Sequence, residues 1–145
     1  MTSWVYLHRD LDEPPYPDGS RVLRPAVPLV VAPGLPAVLG VLDSGSPASV
    51  ANATLFGELG VDIDRTEPLY EIALTVGARF TPTPVYEVEL WLPPPERGAE
   101  PVAWTLPLGA RQGWTLPFGV LLGQRGWFDR FPTRIDASTS TVEVS

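Results

Sequence analysis

One acidic residue of the chain lies in a setting suited to acid–base chemistry. Asp43 follows the apolar pair Val41-Leu42 and opens the sequence Asp43-Ser44-Gly45, so its carboxylate is expected where a hydrophobic strand ends in a tight turn. Two carboxylates held close together cannot both ionise cheaply. They share a proton, so that one acts as general base and the other as general acid. Only one such loop is present, and a carboxylate pair therefore requires a second copy of the chain.

Two further segments have recognisable patterns. Val120-Leu121-Leu122-Gly123 is an apolar run that ends in glycine, and it passes at once into the predicted helix that follows Gly123. Between this run and Asp43 lies Val76-Gly77-Ala78, a glycine-bearing candidate for the tip of a hairpin.

With these elements in this order, the chain resembles the retropepsin-like aspartic proteases, including their bacterial members. The family pattern is an apolar pair, Asp-Thr/Ser-Gly-Ala/Ser, a glycine-bearing flap hairpin, and an apolar-apolar-Gly segment that leads into a helix. The resemblance covers roughly residues 21–144, although the family's flap tip often carries Gly-Gly where this chain has Gly77-Ala78. It implies a mostly β fold: a retropepsin-like acid-protease closed β-barrel with one or two short helices.

The resemblance also implies roles for the residues of the Asp43 turn. Asp43 from each of two subunits would supply the carboxylate dyad, and Ser44 would anchor its loop to the partner's loop through the hydroxyl. Gly45 would let the backbone approach the catalytic water and the substrate. Ser46 stands where retropepsins commonly have alanine, and its hydroxyl is expected to donate to the outer oxygen of Asp43, which would favour the ionised form.

Substrate binding would follow the family pattern, with an extended peptide held between the flap and the floor of a cleft. The expected flap residues are Val76, Gly77 and Ala78, and the expected cleft residues are Val120 and Leu121. This apolar lining predicts hydrophobic residues on either side of the cleaved bond. In the family the terminal strands interleave at the dimer contact, so residues 141–144 are expected to offer alternate apolar side chains and free backbone edges there.

Hydrophobic patterning and turn residues give the predicted elements. Strands are predicted at 21–31, 37–42, 69–76, 85–92, 102–108, 114–122, 134–137 and 141–144. One short helix is expected to begin at the N-cap Asn52 and end at Gly60, and the other to contain Trp127, Phe128 and Phe131. Residues 1–20 are predicted to be an extended N-terminal leader, and residues 21–145 the retropepsin-like domain.

Composition excludes several classes of function. The net charge of −7 argues against a nucleic-acid binder. The absence of cysteine excludes disulfides, thiol catalysis and cysteine-ligated metal. The first twenty residues do not read as a signal peptide, and prolines interrupt the longest apolar stretch, 26–42, so no membrane span is predicted. We expect a soluble, cytoplasmic protein without metal or cofactor, in which the single histidine, His8, is a surface residue.

Three interpretations follow. The first is an aspartic endopeptidase, active as a homodimer, that hydrolyses peptide or protein substrates by attack of an activated water without a covalent intermediate. The second is a catalytically silent, retropepsin-like peptide-binding or scaffold module. The third is a β-barrel in which Asp43-Ser44-Gly45 is an ordinary Asx or Ser turn. Oligomeric state separates the first two, because a strict monomer cannot form the dyad.

Overall fold

The computed structural model describes residues 3–12, 16–76 and 79–145. The strands in these residues are β1 (Trp4–Leu7), β2 (Ala26–Leu29), β3 (Val38–Leu42), β4 (Val50–Asn52), β5 (Tyr70–Val76), β6 (Arg79–Leu92), β7 (Val102–Arg111), β8 (Val120–Leu122), β9 (Thr133–Asp136) and β10 (Thr141–Val144). A 3₁₀ turn spans Ala53–Leu55 and a short helical segment spans Gln124–Phe128. The predicted mostly β class is confirmed. No helix among the described residues is long and apolar enough to cross a membrane.

Most strands belong to a seven-stranded sheet of order β2-β3-β8-β4-β7-β6-β5. The pairs β3–β8 and β4–β7 are parallel, and the other neighbours are antiparallel. The sheet curls until Val30, just after β2, forms an isolated bridge with Trp91 of β6. Because the edge strands β2 and β5 do not pair in the described part of the chain, the predicted closed barrel is seen only as this curled sheet with one bridge.

The core lies inside the curl, where alternate side chains of neighbouring strands meet. On β6 the buried residues include Val88, Leu90 and Leu92, and on β7 they include Leu106 and Leu108. Completely buried aromatic side chains, Phe56 and Trp127, pack into the same cluster from the helical segments. The predicted first helix is only a 3₁₀ turn, although Asn52 does cap it, since its side chain accepts a hydrogen bond from the Thr54 N–H at 3.2 Å.

The hairpin formed by β5 and β6 extends beyond the rest of the sheet. β7 pairs with β6 only along residues 85–92, so residues 79–84 of β6 pair with β5 alone. The Leu69 N–H donates to the Val85 carbonyl at 2.8 Å, which directs the odd-numbered backbone groups of β6 towards β5. Pro82 and Pro84 therefore face the other side, where no described strand needs their missing N–H groups.

The two ends of the described chain meet in a three-stranded sheet of order β1-β10-β9. β1 lies within the segment predicted to be a leader, and the division of the chain at residue 20 stays a prediction. Tyr6 of β1 is buried and its hydroxyl donates to the Pro93 carbonyl at 2.6 Å; burial raises the pKa of Tyr6 above its usual value.

The expectation that residues 141–144 offer a free backbone edge and exposed apolar side chains is wrong. β10 is the central strand of its sheet and is paired on one side with β1 and on the other with β9, so it offers no free backbone edge. Its apolar side chains, Val142 and Val144, are buried within the chain itself.

Candidate active site

Asp43 is the first residue after β3, at the point where β3 runs parallel to β8. The register pairs Leu42 with Leu122, and the Asp43 N–H continues the ladder by donating to the Leu122 carbonyl at 2.9 Å. Two buried apolar strands therefore fix the backbone of this residue, while its side chain is half-buried. The sequence-based placement of Asp43 at the end of a hydrophobic strand is confirmed.

The loop between β3 and β4, residues 43–49, which we refer to as the Asp43 loop, is held by hydrogen bonds that orient the carboxylate. The Gly45 N–H donates to Asp43 Oδ1 at 3.0 Å, and the Ser46 N–H donates to the Asp43 carbonyl at 3.1 Å. A Cβ on residue 45 would lie 3.3 Å from Asp43 Oδ1, tighter than most such contacts, so glycine suits this position. The Gln124 side-chain amide donates to the Ser44 carbonyl at 2.6 Å, which ties the loop to the segment after β8.

The Ser46 hydroxyl does not make the expected bond to Asp43. It donates instead to the carbonyl of Ala48, at 2.8 Å, across its own turn. A hydroxyl has only one proton to donate. The bond to Asp43 Oδ1 comes from the Gly45 backbone, and the expected effect of Ser46 on the ionisation of Asp43 has no contact to support it.

Ser49, which the sequence analysis did not single out, joins the Asp43 loop to the segment after β8. Its side chain is 2% exposed; Oγ accepts from the Gly123 N–H at 3.0 Å and donates to the Arg125 carbonyl at 2.8 Å. The only clue in the sequence is a serine just before the short apolar run of β4, because the partners are more than seventy residues away.

Gly123 packs directly against the Asp43 loop. A Cβ on this residue would lie 2.2 Å from the Ala48 carbonyl oxygen and 2.6 Å from that of Ser46, so no larger residue fits without moving backbone. The Gln124 N–H donates to the Ser46 carbonyl at 2.8 Å, and the Arg125 N–H donates to that of Pro47 at 3.1 Å. The glycine of the apolar-apolar-Gly pattern is thus explained by close contact between the Asp43 loop and the segment after β8.

The helical segment after Gly123 is less regular than predicted. Arg125 has an extended backbone, and Gly126 has a φ of 114°. Trp127 is completely buried, and its Nε1 donates to Thr133 Oγ1 at 3.0 Å. The indole N–H of Trp104 donates to the Gly126 carbonyl at 2.9 Å inside the core.

A cleft of about 320 Å³ opens beside Asp43. We refer to it as the Asp43 cleft; its lining residues are Asp43, Ser46, Val50, Leu74, Arg111, Gly113, Trp114, Thr115, Leu116 and Leu121. Asp43 is the only acid among these described residues. The described residues therefore supply a single carboxylate to this cleft.

The alternation of β-strands decides which predicted residues reach the cleft. Leu121 pairs with Val50 and lines it, whereas Val120 faces the opposite side, is 1% exposed and belongs to the core. The structure thus does not bring Val120 into the cleft. Of the predicted flap, Val76 ends β5, and Gly77-Ala78 lie outside the described residues. Leu74, two residues before Val76, does line the cleft.

A second cavity, of about 390 Å³, lies under the hairpin next to the Asp43 cleft. Pro47, Ala48 and Ser49 line it from the Asp43 loop, and β5 residues 70 and 72–74 line it from the hairpin. Leu74 contributes to both cavities. In the part of the chain that is described, no three His, Cys, Asp or Glu side chains group as a metal site would need.

Comparison with known proteins gives information on the fold. No protein-family model matches the sequence, and no curated protein matches it either. Among solved structures, the chain is similar to a retropepsin-like aspartic protease from Rickettsia conorii, with a TM-score of 0.54. Sequence identity is 14%, and the alignment covers 99% of this chain and 92% of the other. At that identity the likeness concerns the fold alone, and it supports the retropepsin-like arrangement predicted from the sequence.

Proposed function

We propose that this protein is an aspartic endopeptidase whose catalytic dyad consists of Asp43 from each of two chains. The observation that carries the proposal is the half-buried carboxylate of Asp43, oriented by the Gly45 N–H and exposed to a cleft that contains no other acid of the described chain. The retropepsin-like fold of a protease with which the chain aligns over nearly its full length supports the same assignment.

In the proposed reaction the two carboxylates share one proton. The ionised carboxylate removes a proton from a water molecule, whose oxygen attacks the carbonyl carbon of the peptide bond. The protonated carboxylic acid donates its proton to the carbonyl oxygen. The resulting tetrahedral intermediate collapses when the C–N bond breaks, and the leaving nitrogen takes up a proton and departs as an amine.

The side chains and loops around Asp43 would position these groups. Hydrogen bonds from Gly45 and Gln124 hold the loop, and Ser49 with Gly123 fixes it against the segment after β8. Such a support keeps the carboxylate in place as charge moves during the reaction. Ser44, which is exposed, remains the proposed contact between the loops of the two subunits.

The test is cleavage of a peptide library at several pH values by the wild type and by Asp43→Asn. Asparagine keeps an oxygen that can accept the Gly45 N–H, so the variant is expected to fold with an unchanged melting temperature and to lose turnover. Pepstatin, which mimics the transition state of aspartic proteases, is expected to inhibit the wild type. Cleavage that persists in a pure Asp43→Asn preparation would refute the proposal.

Mixing the two proteins tests whether the dyad is shared. If subunits exchange at random in an equal mixture of wild type and Asp43→Asn, only about a quarter of the dimers contain two wild-type copies and are fully active. Independent active monomers would retain about half of the activity at the same total concentration. Activity proportional to the wild-type fraction would exclude the shared dyad.

A catalytically silent peptide-binding module is the second candidate. It is favoured by the presence of only one acid in the cleft of the described chain, together with a lining that suits an extended peptide. This candidate predicts peptide binding that is unchanged in Asp43→Asn and no cleavage at any pH, even when sedimentation shows a dimer.

A further inference from the structure

Among the described residues that line the Asp43 cleft, Arg111 is the one cation, and the proposed reaction does not use it. Arg111 is the last residue of β7 and lies opposite Asn52 in the parallel β4–β7 pair, while Gly109 lies opposite Val50. Because side chains alternate along a strand, Arg111 points to the same face as Val50, which is the cleft face. The intervening Ala110 is buried on the core side.

One nitrogen of the Arg111 guanidinium group lacks a partner within the described residues. Its Nη1 is buried and makes no hydrogen bond there. The ion pairs found among these residues involve Arg21, Arg65 and Arg134, so the half-buried Arg111 is not paired with Asp43. Buried polar groups nearly always have partners, since an unpaired one costs free energy. A bound ligand is a natural source of the missing acceptor.

The rest of the cleft indicates what kind of ligand this is. An apolar lining surrounds Arg111 and is supplied by Val50, Leu74, Trp114, Leu116 and Leu121. A planar carboxylate can accept hydrogen bonds from two parallel N–H groups of a guanidinium, and it carries the opposite charge. A neutral amide offers neither this paired geometry nor this charge.

We infer that the Asp43 cleft selects peptides that carry an aspartate or glutamate side chain close to the scissile bond, with Arg111 as the specificity-determining residue. The position of the acidic residue relative to a scissile bond rests on the proposed function, whereas its recognition by Arg111 requires only peptide binding. A cavity of about 320 Å³ is on the order of 7 Å across, which corresponds to about two residues of an extended strand. The acidic residue therefore lies within about two positions of the bond, and the hydrophobic preference predicted from the sequence applies to its neighbours.

The experiment uses matched peptides that differ only by glutamate or glutamine, placed in turn at each position around a cleavage site. Acetylated N-termini and amidated C-termini leave the side-chain carboxylate as the only variable charge. Cleavage is measured with the wild type, and binding is measured by fluorescence anisotropy with Asp43→Asn, so that recognition is read independently of catalysis. If no cleavage site is found, peptides from a randomised library selected for binding replace the substrates.

Each measurement is repeated with Arg111→Met, which keeps an apolar stem but removes the charge. Arg65→Met is the matched control, since Arg65 is 87% exposed, lies outside the cleft and changes the net charge equally. At about pH 6.5 we expect the wild type to favour glutamate over glutamine at one position by about tenfold or more, as is usual for a hydrogen bond to a charged group. Arg111→Met should lose this ratio and Arg65→Met should keep it.

Two further measurements keep the test decisive if Arg111→Met misfolds. Arg111→Glu should reverse the preference and favour lysine over glutamine at the same position. Lowering the pH to about 3 protonates glutamate, whose ordinary pKa is about 4.3, and should abolish the preference of the wild type. Equal binding of the glutamate and glutamine peptides by Asp43→Asn, in which Arg111 is intact, or a preference that survives when Arg111→Met is introduced, overturns the inference. Preferential binding that depends on Arg111 without any cleavage supports it while refuting the proposed function.

Discussion

The Ser49→Ala variant tests whether a single buried hydroxyl holds the Asp43 loop against the segment after β8. In the wild type this hydroxyl accepts from the Gly123 N–H at 3.0 Å and donates to the Arg125 carbonyl at 2.8 Å. Alanine removes both bonds, and the 2% exposure of Ser49 leaves little access for water to replace them.

The expected loss of stability follows from these two contacts. Each hydrogen bond contributes about 1 kcal/mol net, and leaving the buried Gly123 N–H without an acceptor costs about 1–3 kcal/mol. We therefore expect the free energy of unfolding to fall by about 2–4 kcal/mol. For a chain of this size, that loss corresponds to a decrease in melting temperature of roughly 5–15 °C.

The assay is urea unfolding followed by tryptophan fluorescence, with thermal melting by circular dichroism. Ser46→Ala is the matched control, because it deletes a hydroxyl from the same loop that makes one bond in a half-exposed position. That variant is expected to lose about 1 kcal/mol or less. If Ser49→Ala is no less stable than Ser46→Ala, the hydroxyl does not hold the two loops together and the reasoning is refuted.

Two further predictions concern other contacts. Gly123→Ala places a Cβ 2.2 Å from the Ala48 carbonyl oxygen and is expected to lower the free energy of unfolding by about 3 kcal/mol, measured by urea unfolding. It should also remove most of the proposed peptide cleavage. Gly57→Ala, where a Cβ meets open space, is the control, and equal behaviour of the two variants would contradict the contact. Burial raises the pKa of Tyr6 above its usual 10.0, so the unfolded state ionises first and stability is lost as pH rises above about 10. Between about pH 8 and pH 11, Tyr6→Phe should lose less stability than the exposed control Tyr16→Phe, by up to about 1.4 kcal/mol per pH unit. Stability is measured by urea unfolding at each pH. Equal slopes of stability against pH in the two variants would contradict this prediction.

The sequence was informative where local pattern and tertiary structure agree. The apolar run before Asp43 became β3, and 141–144 became β10. The first segment is a short apolar run and the second alternates polar and apolar residues, and both patterns are typical of strands. The position of Asp43 in a turn at the end of β3 was predictable because small and polar residues, Asp-Ser-Gly, follow the apolar run directly.

The remaining features depend on contacts that no local pattern encodes. β1 was missed because its acidic, proline-bearing surroundings indicate a surface segment, whereas β10 supplies the partner from the far end of the chain. β6 was predicted too short because prolines usually interrupt strands, and only the absence of an outer neighbour makes Pro82 and Pro84 acceptable. Arg111 was missed because its importance lies in the cleft it faces and in the acceptor it lacks.

The alternating prolines of β6 have a consequence for behaviour at high concentration. A hairpin that projects from a sheet normally offers its outer backbone as a template on which a neighbouring molecule can add a strand, the first step towards fibrils. Here Pro82 and Pro84 face outward, and they present carbonyl groups but no amide donors to a neighbouring molecule. The chain can thus carry a long unsupported hairpin while that edge resists polymerisation.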